Sequence, residues 1–461
     1  MKIQTRIHRQ LSDTLTPVNT LLALREQYPQ VMLLESSDYQ SKENSYSFLG
    51  FAPLASAWVS EGRFRSTLGH DFDLLHGDTD LVAAMDAFRE SFTLLNEEQE
   101  AQRFNGLFGY TGFEAVAWFD EHSFTGQESS CMIPDLQFHF FAYLVVFDHY
   151  NSRLTILENQ PEDSPSQLEE VITLINKPGR PVYPFRAGAA TANMSDTDYI
   201  QLVSKAKAHC QRGDVFQLVL SRRYRQAYRG DDINVYRALR AINPSPYLFY
   251  FDYGDFKIMG SSPEAHLIIK GGQAEIHPIA GTVMRSGDNE TDHAAALQLA
   301  ADPKENAEHN MLVDLARNDL AHHCRNVWVS RNKVIQYFSH VIHLVSKVVA
   351  DKPRQVSPFR VFADTFPAGT LTGAPKHKAI ELIHAYEPQP RDFYGGAIGY
   401  MSFDGDMNMA ITIRTVMAKD SNLYYQAGAG IVIDSQEENE LREVQNKLAA
   451  IRAAIKMAEE L

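Results

Sequence analysis

The sequence predicts a mixed α+β fold built around large antiparallel sheets, and three observations carry that expectation. Short runs of aromatic and β-branched residues recur along the whole chain, separated by polar or glycine-containing breaks. Helical periodicity is confined to a few segments. No βαβ rhythm, GxGxxG or GxxxxGKS/T pattern occurs, so the doubly wound and P-loop alternatives fail.

Composition sets the bounds. The 461 residues are 44% hydrophobic and 22% charged, a globular composition. At roughly 150 residues per domain the prior is about three domains, but large β-rich enzymes run longer, and two halves around one large core are expected. Lys and Arg number 43 against 58 Asp and Glu, for a net charge of -15. That acidity argues against a nucleic-acid partner, and at first against an anionic small molecule. Cys131, Cys210 and Cys324 are far apart and lack CxxC spacing, which suggests neither a disulfide framework nor a zinc site. The N-terminus has no apolar core of a secretory signal, and the apolar run Phe138 to Phe147 is too short to span a bilayer. A cytoplasmic location is expected.

In the first half, residues 31 to 59 and 104 to 157 read as strands, with a polar hairpin break at Asp148 to Ser152. Leu81, Met85, Phe88 and Phe92 fall at helical spacing within Asp80 to Leu95. The stretch 177–194, rich in Pro, Gly and Ala, reads as a linker between an N-terminal unit, 1–176, and a second unit, 195–461. Ser195 reads as an N-cap, with Asp198 three residues on. Strand-like runs then alternate with three helices, Asn306 to Cys324, Ser357 to Asp364 and Glu437 to Glu459.

Two of these helices carry spaced carboxylates. Glu305, Glu308 and His309 share one face of the first, opposite Met311, Leu312, Leu315 and Leu320. Glu440, Glu443 and Lys447 repeat the arrangement on the last, opposite Leu441, Val444, Leu448 and Ile451. Each alone reads equally as a solvated acidic face. Together they could offer carboxylates from two sides to one hard cation, and magnesium takes one or two of them. Glycine-rich turns at 278–282, 368–376 and 426–432 suit either plain chain reversal or close backbone approach to an anion. Arg414, among apolar residues, needs a buried acid or an anionic ligand. His343 reads as a sheet-face histidine or a catalytic one.

Taken in order, PIAGT, DPKENAEHNMLVDLARNDL, SHVIHLVS, AGTLTGAPKHKAIELI, FYGGAIGYMSF, IRT, QAGAGIV and NELREVQNK resemble the blocks of the chorismate-utilising enzymes. LLESSDY, SFLGF and NPSPYLFYF are similar to anthranilate synthase component I within that family. The resemblance runs from about residue 32 to 455. It implies two large antiparallel β-sheets packed as a sandwich and flanked by helices, with the site between them. It also implies a Mg²⁺-dependent reaction of chorismate with ammonia to give anthranilate and pyruvate, the first step of tryptophan biosynthesis. The ammonia would come from glutamine through a partner amidotransferase subunit.

By the same resemblance Glu308 and Glu443 would ligate Mg²⁺, supported by Glu305 and Glu440. Glu264 would be the general acid, with His343 and Thr370 near the enolpyruvyl ether. Arg414, Tyr394 and the backbone at Gly428 and Gly430 would hold the enolpyruvyl carboxylate. Gly281 and Thr282 would line the ring, and Lys447 would sit near the metal-bound carboxylate. Relatives that add water carry a lysine where this chain has Gln217, and the para-aminobenzoate branch carries one where this chain has Ala280. Gln217 disfavours water addition and Ala280 disfavours aminodeoxychorismate formation, so both favour the anthranilate branch. Leu34, Glu35 and Ser36, with Asn243, Pro244, Tyr247, Leu248 and Tyr400, resemble the family's L-tryptophan feedback pocket. A non-catalytic tryptophan-binding scaffold is the reading from another class, and the intact Glu308, Glu443 and Arg414 set argues against it.

Overall fold

The computed structural model of the chain describes residues 1–36, 45–75, 80–95, 98–119, 131–162, 164–177, 181–337 and 341–461, with the side chains of Ala280, Thr282 and Lys304 outside the description. Its organising feature is a long antiparallel pair. Strand Tyr46–Ser60 runs against Leu136–Asp148 from Tyr46 opposite Asp148 to Val59 opposite Leu136. The register slips between Pro53 and Ala55, next to Ala52, whose φ is 53°. A slip of this kind bends a strand, so each end of the pair can join a different sheet.

At the Tyr46 end the pairing continues through Val31–Glu35, Tyr247–Asp252, Phe256–Ser262, Thr415–Lys419, Asn422–Ile431 and Gln217–Gly230. At the other end it continues through Gly106–Thr111, Ala397–Ser402, Met407–Ile411, Ala265–Lys270, Gln273–Ile276 and Val341–Asp351. The two expected sheets are therefore halves of one curled hydrogen-bonded network. Aromatic side chains, among them Phe108, Phe141, Phe249 and Phe251, are buried together in its interior. Burying rings on this scale is the main stabilising term of such a core.

Both sequence units contribute to both halves, since Val31–Glu35 pairs with Tyr247–Asp252 and Gly106–Thr111 with Ala397–Ser402. The stretch 177–194 is not simply a linker: Phe185–Ala192 is a strand on Gln217–Gly230. Its side chains are small and mostly exposed, so it has no apolar alternation by which to be recognised.

Helices flank the sheets. Asp196–Arg212 starts from the expected box, in which Ser195 and Asp198 each bond the other's backbone N–H, and ends at left-handed Gly213. Pro303–Ala321, Pro358–Thr365 and Glu437–Ala458 lie within three residues of expectation. Leu81–Glu90 stops earlier than expected, and Thr93–Leu94 instead pairs in parallel with Lys2–Ile3. Ile233–Ile242, Asn289–Ala301 and Lys376–Tyr386 are additional helices. The three cysteines are free thiols. Among the described residues no helix is long and apolar enough to cross a membrane.

Candidate active site

Two crossings between the sheet halves build the centre of the site. Pro263 and Glu264 connect Phe256–Ser262 in one half to Ala265–Lys270 in the other. Arg414 lies on the return from Met407–Ile411 to Thr415–Lys419. The crossings are stitched together: the Ile411 N–H donates to the Glu264 carbonyl at 3.0 Å, and the Ser261 N–H to the Arg414 carbonyl at 3.2 Å. Arg414 adopts φ 51°, in the left-handed region. That strain persists because its neighbours fix the backbone, Thr412 exchanging hydrogen bonds with Gly395 and Gly396.

Glu264 lines a cleft of about 380 Å³ with Pro278, Leu312, Leu315, Gly369 and Thr370. Burial among these groups raises its pKa to about 7, although the Thr370 hydroxyl, donating at 3.0 Å, and the nearby Arg414 and Lys447 charges pull the other way. Arg414 makes no side-chain hydrogen bond or ion pair among the described residues. Burial disfavours its charge, offset in part by Tyr394, Glu443 and Glu264. The Tyr394 hydroxyl, whose pKa burial pushes up to about 12, accepts from the Gly428 N–H and stays protonated. Lys447 donates to the Gly428 carbonyl at 2.8 Å and pairs with Glu443 at 2.7 Å.

The facing wall comes from strands Gln217–Gly230 and Ile279–Met284. Gln217 donates its amide to Glu308 at 2.7 Å. A Cβ at Gly430 would sit 2.6 Å from that amide nitrogen, so only glycine lets the two strands hold this contact. Gly281, at φ 68°, presents its carbonyl to His343 Nδ1 at 2.8 Å, and a Cβ there would lie 3.1 Å from Glu305 Oε2. Burial and Arg414 lower the His343 pKa, keeping the ring neutral against the opposing pull of that carbonyl. Thr282 pairs with His343 through the backbone, its side chain lying outside the described residues, as does that of Ala280.

Of the carboxylates expected at the metal, Glu308 and Glu443 as ligands and Glu305 and Glu440 as supports, no three form a cluster among the described residues. Among the described residues no three His, Cys, Asp or Glu side chains converge on a metal position. Like charges at close quarters repel, and Glu308 and Glu443 have each taken a donor of their own. Glu440 is buried near Tyr199. His309 does not join Glu305 and Glu308 either: it is fully buried against Ser346 at 2.6 Å, and burial lowers its pKa to about 4. The donor chemistry still fits magnesium, which needs only one or two hard carboxylate oxygens and completes its shell with water and ligand oxygens. Gln217 Oε1, a buried acceptor beside Glu308 without a partner among the described residues, suits a metal-bound water.

A second cavity, of about 530 Å³, gathers Leu34, Glu35, Tyr247, Leu248 and Tyr400 as expected. Ser36 and Pro244 are not part of its lining, and Asn243 is turned to Ser245 and Ser261. Tyr46, Phe48 and Asn408 complete the wall. Sequence reasoning passed over Asn408 because a polar residue on a strand reads as solvent-facing.

Residues 34–453 match the chorismate binding enzyme family. Anthranilate synthase component 1 of Aquifex aeolicus is 33% identical, over 98% of this chain and 94% of its own length. That of Neisseria gonorrhoeae is 34% identical with the same coverages. Among solved structures, anthranilate synthase component I from Streptococcus pneumoniae superposes with a TM-score of 0.78 at 30% identity, over 96% of this chain and 99% of that one. The menaquinone-specific isochorismate synthase of Escherichia coli shares the fold, with a TM-score of 0.75 at 19% identity over 98% and 94%. A match across nine-tenths of the sequence, with relatives of the same length and architecture, makes this chain a member of the chorismate-binding enzyme family.

Proposed function

We propose that the chain is the aminating subunit of a cytoplasmic anthranilate synthase, a lyase converting chorismate and ammonia to anthranilate and pyruvate. The observation that carries this reading is Glu264, a cleft carboxyl whose pKa burial raises to about 7, within electrostatic reach of Arg414, which makes no side-chain hydrogen bond or ion pair among the described residues. Chorismate has a leaving hydroxyl that must take up a proton and an enolpyruvyl carboxylate that must be held. Glu264 delivers its proton to the departing oxygen, which leaves as water while ammonia bonds to the ring. Arg414 and Tyr394 bind the enolpyruvyl carboxylate, and the backbone around Gly428 and Gly430 closes over it. Thr370, bonded to Glu264, orients the acid.

Gln217 is a neutral amide already committed to Glu308, so it cannot activate water as a lysine would, which favours amination over hydration. In the second step a ring C–H bond breaks to restore aromaticity, the ether bond to the ring breaks, and the released enolpyruvyl group takes up a proton at its methylene carbon and departs as pyruvate. Neutral His343, held by the Gly281 carbonyl, is the base we assign. When bound between Glu308 and Glu443, a magnesium ion would draw electron density towards the ring carboxylate and make the ring electrophilic.

The second cavity is the proposed L-tryptophan feedback site, its aromatic walls suiting an indole. The partner would be an amidotransferase that supplies ammonia from glutamine. Purified protein given chorismate, Mg²⁺ and an ammonium salt should form anthranilate and pyruvate. Release of aminodeoxychorismate or isochorismate alone would overturn the assignment.

A further inference from the structure

Behind the cleft lies a buried ion pair that touches no reacting group. Arg391 is 1% exposed, and its guanidinium forms two bonds to Glu387, Nε to Oε2 at 2.9 Å and Nη2 to Oε1 at 2.6 Å. Two of its other three N–H donors reach carbonyls on separate segments. Nη1 donates to Leu371 at 2.6 Å, next to Thr370, and Nη2 to Val219 at 2.8 Å, two residues from Gln217. Glu387 in turn accepts from the Ser221 N–H and hydroxyl, both at 2.8 Å. The Arg391 guanidinium also lies 5.7 Å from the Tyr394 ring centre.

A planar fork can hold a carboxylate through two N–H groups while two more reach carbonyls, four bonds that an ammonium with three donors cannot make. Burying such a pair gives little net stability, so a pair this completely satisfied points to a positional role. We propose that Arg391, clamped by Glu387, is a positioning residue that fixes the Gly369–Thr372 turn against strand Gln217–Gly230 and so holds the Thr370 hydroxyl on Glu264. The inference rests on the proposed amination chemistry and adds to it a residue that acts through Thr370.

The test compares Arg391→Lys, Thr370→Val and the double variant in the ammonia-dependent reaction, alongside thermal unfolding. Besides Thr370, the charged groups facing Glu264 are Arg414 and Lys447, and neither is altered. Loosening Thr370 removes a hydrogen bond that favours ionised Glu264, so Arg391→Lys should move the alkaline limb of the pH–rate profile upward. It should also lower kcat on the order of tenfold or more while changing KM for chorismate less. In the double variant the limb should move no further than in Thr370→Val. A lower melting temperature with an unmoved limb and unchanged kcat would show a purely structural pair and overturn the inference. So would limb shifts that add in the double variant. Should Arg391→Lys not fold, Glu387→Gln, which keeps one acceptor for the guanidinium, carries the same expectations. Wild-type protein that makes no anthranilate would instead refute the proposed function, and the two failures are separable.

Discussion

Strand Met407–Ile411 stands between two cavities that treat charge in opposite ways. Ile411 lines the cleft that holds Glu264, while Asn408 and Ala410 line the aromatic cavity. In the cleft, Glu264 has the Thr370 hydroxyl, and Arg414, within electrostatic reach of Glu264, has no hydrogen-bonding partner among the described residues. In the aromatic cavity the carboxylate is already committed: Glu35 accepts from Tyr236 at 2.6 Å and from Arg240 at 2.9 and 3.0 Å. The contrast separates groups kept under-satisfied for reaction from groups satisfied for structure. An acid poised near neutrality and a cation without a hydrogen-bonding partner among the described residues are costly in the empty protein, and the proposed function gives both a use in ligand binding and chemistry. A carboxylate fixed by arginine and tyrosine serves the wall, and on the proposed reading of this cavity leaves recognition to ring surfaces and to Asn408.

The largest effect should come from breaking the acid. Glu264→Gln keeps the shape and removes the transferable proton, and kcat is expected to fall by about 10² to 10⁴. Wild-type turnover in this variant would remove Glu264 from the mechanism and with it the contrast between the cavities. Next in size is Arg414→Met. Losing a charge-assisted carboxylate contact costs about 2 to 3 kcal/mol, roughly 30- to 150-fold in kcat/KM for chorismate. An unchanged value would mean that the arginine is held for the fold alone.

The pH dependence should be smaller and has a definite sign. Glu264, raised from its ordinary 4.5 to about 7, carries its proton below that pH and loses it above. With dissolved ammonia held constant, kcat/KM for chorismate should decline as pH rises through about 7, and Thr370→Val should shift that decline upward. The same group makes the folded protein bind more protons than the unfolded chain between 4.5 and about 7. Its contribution to stability therefore falls as pH rises across this window, and Glu264→Gln should remove that slope in denaturant titrations. A slope unchanged by the substitution would place the raised titration elsewhere.

Much of the cleft was legible because its residues sit in local motifs. Glu264, Thr370, Arg414 and Lys447 lie in short blocks that are ambiguous singly and informative only through their joint resemblance to one family, whereas the Ser195 cap announced its helix by itself. Contacts that depend on crossings between the sheet halves were not legible. Nothing near Arg391 in the sequence indicates that it reaches Val219 and Leu371, because side-chain reach across a fold leaves no periodic trace. The surroundings of His309 were not legible either: helical spacing gives a face but not which neighbour covers it, and Ser346 on a distant strand does. Strand Phe185–Ala192 escaped because an exposed strand of small residues has no hydrophobic alternation.

The smallest expected effect lies in the aromatic cavity and runs opposite to most core substitutions. Asn408 Oδ1 is buried without a hydrogen-bond partner among the described residues, so the empty protein bears the desolvation of an acceptor that nothing satisfies. Leucine is close in shape to asparagine and has no polar atom to desolvate. Asn408→Leu should therefore stabilise the unliganded chain, by about 1 kcal/mol in denaturant titration. If the cavity takes an amino acid whose ammonium donates to Oδ1, the variant should also lose most of the thermal shift that L-tryptophan confers on the wild type. Unequal movement of the two readings is informative: stabilisation with an intact shift would leave the aromatic walls as the recognition element. Destabilisation would mean that Oδ1 is satisfied in solution, and the contrast drawn between the two sides of strand Met407–Ile411 would then narrow to the acid and the arginine of the cleft.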